Sequence, residues 1–211
     1  MVFTSSSSTT FGSRRYPVRR RSFSASVSSP AIDILIVCLG NICRSPMAAV
    51  LLAARLEERG VDAHVHSAGL LSPGQRVPDH GLAVMAARGF DTSGHRSRRL
   101  SADLVDPAGL IVAMTGEQVE DIVAAHPAAG GRTFTLKEIV RRGEATGSRG
   151  AGEDLGRYLA RLHAGRRPAD LAGSGGGDDV DDPIGGSRAV YERTASEIED
   201  LTARLAGLLA G

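Results

Sequence analysis

Strand-like and helix-like stretches alternate along residues 31–211. The runs Ile34–Cys38, Ala63–Ser67, Gly109–Met114 and Arg132–Leu136 read as strands, and Pro46–Arg59, Asp79–Arg88, Gly116–Ala125 and Arg188–Ala210 as helices. The last helix carries Leu201, Leu205 and Leu208 at near-helical spacing, the mark of one apolar face. This alternation predicts an α/β fold: a doubly wound, four-stranded parallel sheet with helices on both faces. Ligands of such sheets sit beyond the carboxyl ends of the strands. Cys38 lies at that end, and Ser67 and Met114 end the second and third strands, flanking the same crevice. Residues 143–179 read as a lengthened connection, with a short helix within Glu153–His163 and a nearly structureless Gly173–Gly177. A flexible hinge there would suit either a mobile lid or an inert surface insertion.

The first 30 residues break the pattern. They are rich in Ser, Thr and Arg, hold five arginines and no acid, and have no sustained apolar period, so a disordered tail over 1–30 precedes a domain over 31–211. The formal charge of +1 hides this asymmetry: the remainder is mildly acidic, which argues against nucleic acid as a partner. No apolar run approaches the ~20 residues needed to span a membrane. Of the 25 basic residues only Lys137 is lysine, a bias that with abundant Ala and Gly points to GC-rich coding. Two cysteines make neither a secreted disulfide framework nor a zinc site, and a working thiolate favours a reducing, cytoplasmic setting.

The chemistry concentrates in Cys38-Leu39-Gly40-Asn41-Ile42-Cys43-Arg44-Ser45, between the first strand and first helix. Five residues separate Cys38 from Arg44 and can wrap backbone N–H groups around a tetrahedral oxyanion, to which the helix adds its positive end. Arg44 can clamp two oxygens with its planar fork. Cys38 then lies beneath the phosphorus, in a field that favours its thiolate. Gly40 lets the loop turn tightly, Asn41 suits a left-handed position, and the Ser45 hydroxyl can donate to the Cys38 sulfur. Pro46 fits the first helical turn. A leaving alkoxide or phenoxide also needs a proton, and Asp178, Asp179, Asp181 and Asp182 crowd one stretch from which a carboxyl group could deliver it. Charge alone does not separate Asp181 from Asp182.

Val37 to Ala48, reading V-C-L-G-N-I-C-R-S-P-M-A, resembles the signature of the low-molecular-weight protein tyrosine phosphatase family. The likeness continues through His66-Ser67-Ala68-Gly69 and Phe134-Thr135-Leu136-Lys137-Glu138, and ends with Asp182-Pro183. It implies strand order 2-1-3-4, a cysteinyl-phosphate intermediate on Cys38, Arg44 as transition-state clamp and Asp182 as general acid. No cofactor or metal is implied, and the partner is a phosphorylated protein. The tail then fits either an organelle transit peptide or a start placed upstream in a bacterial gene. The second is preferred, because the domain resembles bacterial members.

The leading expectation is hydrolysis of protein phosphotyrosine. The bulky Ile42 in the pocket resembles tyrosine-directed members, whereas arginine-directed ones resemble each other in a Thr there. Ile184 takes the pocket-wall position that is aromatic in most of the family, and Gly185-Gly186-Ser187 looks more like the arginine-directed members. Phosphoarginine hydrolysis is therefore the alternative. A single-thiol arsenate reductase and an inactive phospho-binding module rank below it. No cysteine follows Cys43 to relay a disulfide, although Cys43 itself stands where it could form one with Cys38 and protect it from over-oxidation. His64 and His66 share one face of a strand, but no third metal ligand is evident nearby, so a structural role is expected. His95, Arg96, Arg98 and Arg99 form a basic cluster, either a solvated loop or a means of steering phosphorylated substrates.

Overall fold

The computed structural model describes residues 32–167 and 177–211. The tail over 1–30 and most of Gly173–Gly177, with the lid or insertion expected there, lie outside the described residues. Four strands, β1 (Ile32–Cys38), β2 (Ala63–Gly69), β3 (Leu110–Ala113) and β4 (Thr133–Thr135), form one parallel sheet in the order β2-β1-β3-β4. The helices are α1 (Arg44–Glu58), α2 (Asp79–Ala87), α3 (Ala102–Val105), α4 (Gly116–Ala125), α5 (Leu136–Thr146), α6 (Leu155–His163) and α7 (Arg188–Ala210).

Side chains of a strand alternate between its faces, and here each face has its own apolar layer. Ile34, Ile36, Leu110, Val112 and Phe134 pack with buried residues of α1, α2, α5, α6 and α7. Leu35, Val37, Ile111 and Ala113 pack on the other face with Val105 of α3 and with Val119 and Ile122 of α4. With both faces covered, β1 must be apolar throughout its inner part, as buried parallel strands are. Chain connections leave β1 towards β2 on one side and β3 on the other. The crevice beyond Cys38 is therefore the switch point where such sheets bind ligands.

Two helices were not foreseen. The four-residue α3 is too short to show a period. The fourth strand was read through Leu136, but its chain turns directly into α5 after Thr135, whose hydroxyl accepts from the Glu138 N–H at 3.1 Å. Thr135-x-x-Glu138 is the capping-box spacing, the signal that would have found this helix. Within the lengthened connection the expected short helix is present as α6, capped by Asp154.

Candidate active site

The loop from Cys38 to Arg44 is built around one strained residue. Asn41 has φ of 52°, the only positive φ outside glycine among the described residues, and is fully buried. An Asn in the left-handed region is tolerated where its amide finds local partners. This one finds several. Its Nδ2 donates to Ser45 Oγ at 2.9 Å and to Ser67 Oγ at 2.8 Å, and its Oδ1 accepts from the Arg98 backbone N–H at 2.8 Å. His95 Nε2 donates to its carbonyl at 2.7 Å. The basic cluster thus has a different task from steering: His95 and the backbone of Arg98 brace the loop from behind.

This bracing orients the sulfur's surroundings. Cys38 Sγ lies 3.0 Å from Ser45 Oγ and accepts the Asn41 N–H at 3.2 Å. Because Ser45 Oγ already accepts from Asn41, its own proton is free to point at the sulfur, which is nearer than its other acceptor, Ala68 O at 3.5 Å. The backbone N–H groups of Gly40, Ile42 and Cys43 have no hydrogen-bond acceptor among the described residues, and the amino end of α1 follows them. That combination attracts an oxyanion.

Arg44 is 4% exposed, donates through Nη1 to Val180 O at 3.0 Å, and pairs through Nη2 with Asp182. Its Nε is buried without a partner. A buried guanidinium with an unmatched donor beside the loop is suited to a multidentate anion. Asp182 reaches this point because the preceding residues are pinned. Asp178 pairs with Arg141, Asp179 Oδ1 accepts the Gly116 N–H at 2.8 Å, and Val180 N donates to Met114 O at 2.8 Å. Among the four clustered acids, Asp182 is the one beside Arg44, and Asp181 is not in the pocket lining.

The resulting cavity, about 90 Å³, is lined by Cys38, Leu39, Gly40, Ile42, Cys43, Arg44, Leu71, Asp182 and Ile184. Its mouth is aliphatic: Leu39, Leu71 and Ile184 are the exposed large apolar residues of the described chain, at 43%, 54% and 52%. Leu71, just after β2, was missed because nothing local distinguishes it from any loop leucine. Cys43 behaves differently from Cys38. It is buried against the Tyr191 hydroxyl, 3.5 Å away, and burial pushes its thiol up to about 11, so it is protonated at neutral pH. Both cysteines are free.

Gly69 closes the loop from below. A Cβ there would lie 2.7 Å from the Asn41 nitrogen and 2.9 Å from the Leu39 oxygen, both backbone atoms of the loop. Gly69→Ala is therefore expected to displace the loop and lower kcat/KM for a phosphomonoester about 10²-fold. Circular dichroism should show the fold retained. Unchanged kinetics would mean that the loop does not depend on this close approach.

The histidines also depart from expectation. His64 Nδ1 and His66 Nε2 lie 2.9 and 2.8 Å from the two carboxylate oxygens of Asp33. The third potential ligand therefore exists, but it comes from the neighbouring strand, 31 residues before His64 and too distant in sequence to be seen in a local scan.

Residues 33–147 match the family model described as low molecular weight phosphotyrosine protein phosphatase. A probable low-molecular-weight protein-tyrosine-phosphatase of Ralstonia nicotianae is 44% identical over 106 residues, covering 50% of this chain and 71% of that one. A protein-arginine-phosphatase of Bacillus subtilis is 32% identical over 176 residues, 83% of this chain and 95% of that one. Among solved structures, a low-molecular-weight protein tyrosine phosphatase from T. tengcongensis superposes with a TM-score of 0.65 at 28% identity, covering 85% of this chain and 100% of that chain. An arginine phosphatase from Geobacillus stearothermophilus gives 0.60 at 33% identity, with 83% and 91% covered. The braced cysteine loop, the parallel sheet that carries it and these likenesses agree: the chain belongs to the low-molecular-weight phosphotyrosine protein phosphatase family of phosphomonoester hydrolases.

Proposed function

We propose that this protein hydrolyses phosphotyrosine on protein substrates through a phosphocysteine. The observation that carries the reading is the convergence of the Cys38 sulfur, the unpartnered loop amides and the buried Arg44 on one small cavity. The Cys38 thiolate attacks phosphorus, the S–P bond forms and the P–O bond to the leaving oxygen breaks. Asp182 gives that oxygen its proton. Asp182 then takes a proton from water, whose oxygen attacks phosphorus and breaks the S–P bond, releasing phosphate and the thiolate. Arg44 leaves Asp182 as the dianion enters, and its free Nε and its Nη2 turn to two equatorial oxygens. The Ser45 hydroxyl stabilises the sulfur as it departs.

Ile42 and the apolar mouth favour a phenyl leaving group over a polar one. A second reading, phosphoarginine, has its own support: no aromatic side chain lines the cavity, and the arginine-phosphatase relatives align along most of this chain. A reducing compartment such as the cytoplasm suits the thiolate chemistry, with neither nucleic acid nor membrane as partner.

Parallel assays on a phosphotyrosine peptide and a phosphoarginine peptide test the choice. Higher kcat/KM on phosphotyrosine is expected. Ile184→Phe should raise it further by supplying ring-on-ring contact worth roughly 0.5–1.5 kcal/mol. Preference for phosphoarginine, unaltered by Ile184→Phe, would replace the substrate and keep the cysteine chemistry.

A further inference from the structure

We propose that Asp33, His64 and His66 bind a divalent transition-metal ion of the zinc type at the edge of the sheet. The site is distinct from the cysteine loop and does not depend on the phosphatase reading. In the parallel register Asp33 of β1 stands opposite His64 of β2, and His66 follows two residues on, on the same face. The two imidazoles are stacked, with centroids 4.7 Å apart and an interplanar angle of 14°, so each presents one nitrogen towards the carboxylate. Those two nitrogens and a carboxylate oxygen lie within 4.8 Å of one another. An ion at the usual distances of about 2.0–2.2 Å from each needs ligand atoms only slightly further apart than these hydrogen bonds.

Chemistry selects the class of ion. Two imidazoles and one carboxylate suit zinc, cobalt or nickel, whereas calcium and magnesium want more oxygen ligands. β2 is an edge strand and the His64 side chain is 66% exposed, leaving a side open for a water to complete four-coordination. An anion already stands between the rings, so no new charge has to be brought in to balance the ion.

One group opposes binding. Arg98 Nη2 donates to His66 Nδ1 at 3.1 Å, which keeps the His66 proton on Nε2, where it points at Asp33. Ligation through Nε2 requires that proton to leave or to move to Nδ1, and either way Arg98 must let go. Its guanidinium can do so while keeping both bonds to Ser67 O, and the side chain is exposed. Arg98 thus weakens the site by holding the wrong tautomer and by placing a positive charge beside it.

Titrating the full chain with cobalt(II) tests the proposal, because a thiolate ligand adds a near-ultraviolet charge-transfer band that imidazole and carboxylate do not. Visible d–d absorption saturating at one ion per chain, without that band, is expected. It should disappear in His64→Ala, whose exposed position leaves the fold intact, and in Asp33→Asn. In Arg98→Leu the affinity should rise about tenfold. A spectrum dominated by the thiolate band, undiminished d–d absorption in His64→Ala, or an Arg98→Leu protein that binds no tighter than wild type would each overturn the assignment.

Discussion

Cys38→Ser is expected to lower kcat for phosphomonoester hydrolysis by at least about 10⁴-fold while leaving phosphate and vanadate binding nearly unchanged. The two effects separate because different groups produce them. Affinity for the oxyanion comes from the loop amides, the amino end of α1 and Arg44, none of which the substitution touches. Turnover needs an ionised nucleophile, and a serine hydroxyl in the same place has neither the low pKa nor a neighbouring base to ionise it. Ser45 is no such base: its hydroxyl is the donor in the pair with residue 38. Steady-state kinetics with isothermal titration of vanadate reads both quantities. Parallel loss of binding and turnover would mean that the sulfur organises the loop rather than attacking phosphorus.

Asp182→Ala should act through the leaving group. For phosphotyrosine, whose phenoxide leaves poorly, the loss in kcat should be about 10²–10⁴-fold, the usual range for a general acid. For an activated aryl phosphate that needs no proton on departure, the loss should be far smaller. A series of aryl phosphates of graded leaving-group pKa gives the slope. Equal slowing across the series would remove Asp182 from the acid role. Arg44 complicates the variant in a readable way, because the contact with Asp182 disappears and the guanidinium is free before substrate arrives. Phosphate affinity should therefore rise slightly as turnover falls.

The cysteine loop was legible because its residue types are dictated by its backbone. An anion cradle at a strand-to-helix turn leaves few choices at Gly40, Asn41 and Arg44, and these stand together within one short segment. β1 and α7 were legible because their surroundings are apolar over several residues. What escaped depends on contacts between distant segments. Gly69 in the sequence is one glycine among 26, and only the approach of Asn41 and Leu39 shows why a Cβ is excluded. His95 and Arg98 read as a charged surface run, yet the imidazole of one and the backbone of the other hold Asn41. Asp33 gains meaning only once β1 and β2 are aligned. Strand order came from family resemblance, since four buried runs of similar length do not rank themselves. The start of α5 was overrun because strand and helix meet without a loop, leaving the Thr135–Glu138 cap as the sole local marker.

The most direct measurement of the central claim is rapid acid quench of the Asp182→Ala protein during turnover of an activated aryl phosphate, followed by mass spectrometry of the peptides. The variant should still form the intermediate but lack the base that helps water to break it down. One phosphoryl group on the peptide containing Cys38, lost on mild iodine treatment that cleaves S–P bonds, is the predicted result. Turnover with no phosphoryl adduct, or an adduct on a residue other than Cys38, would contradict it.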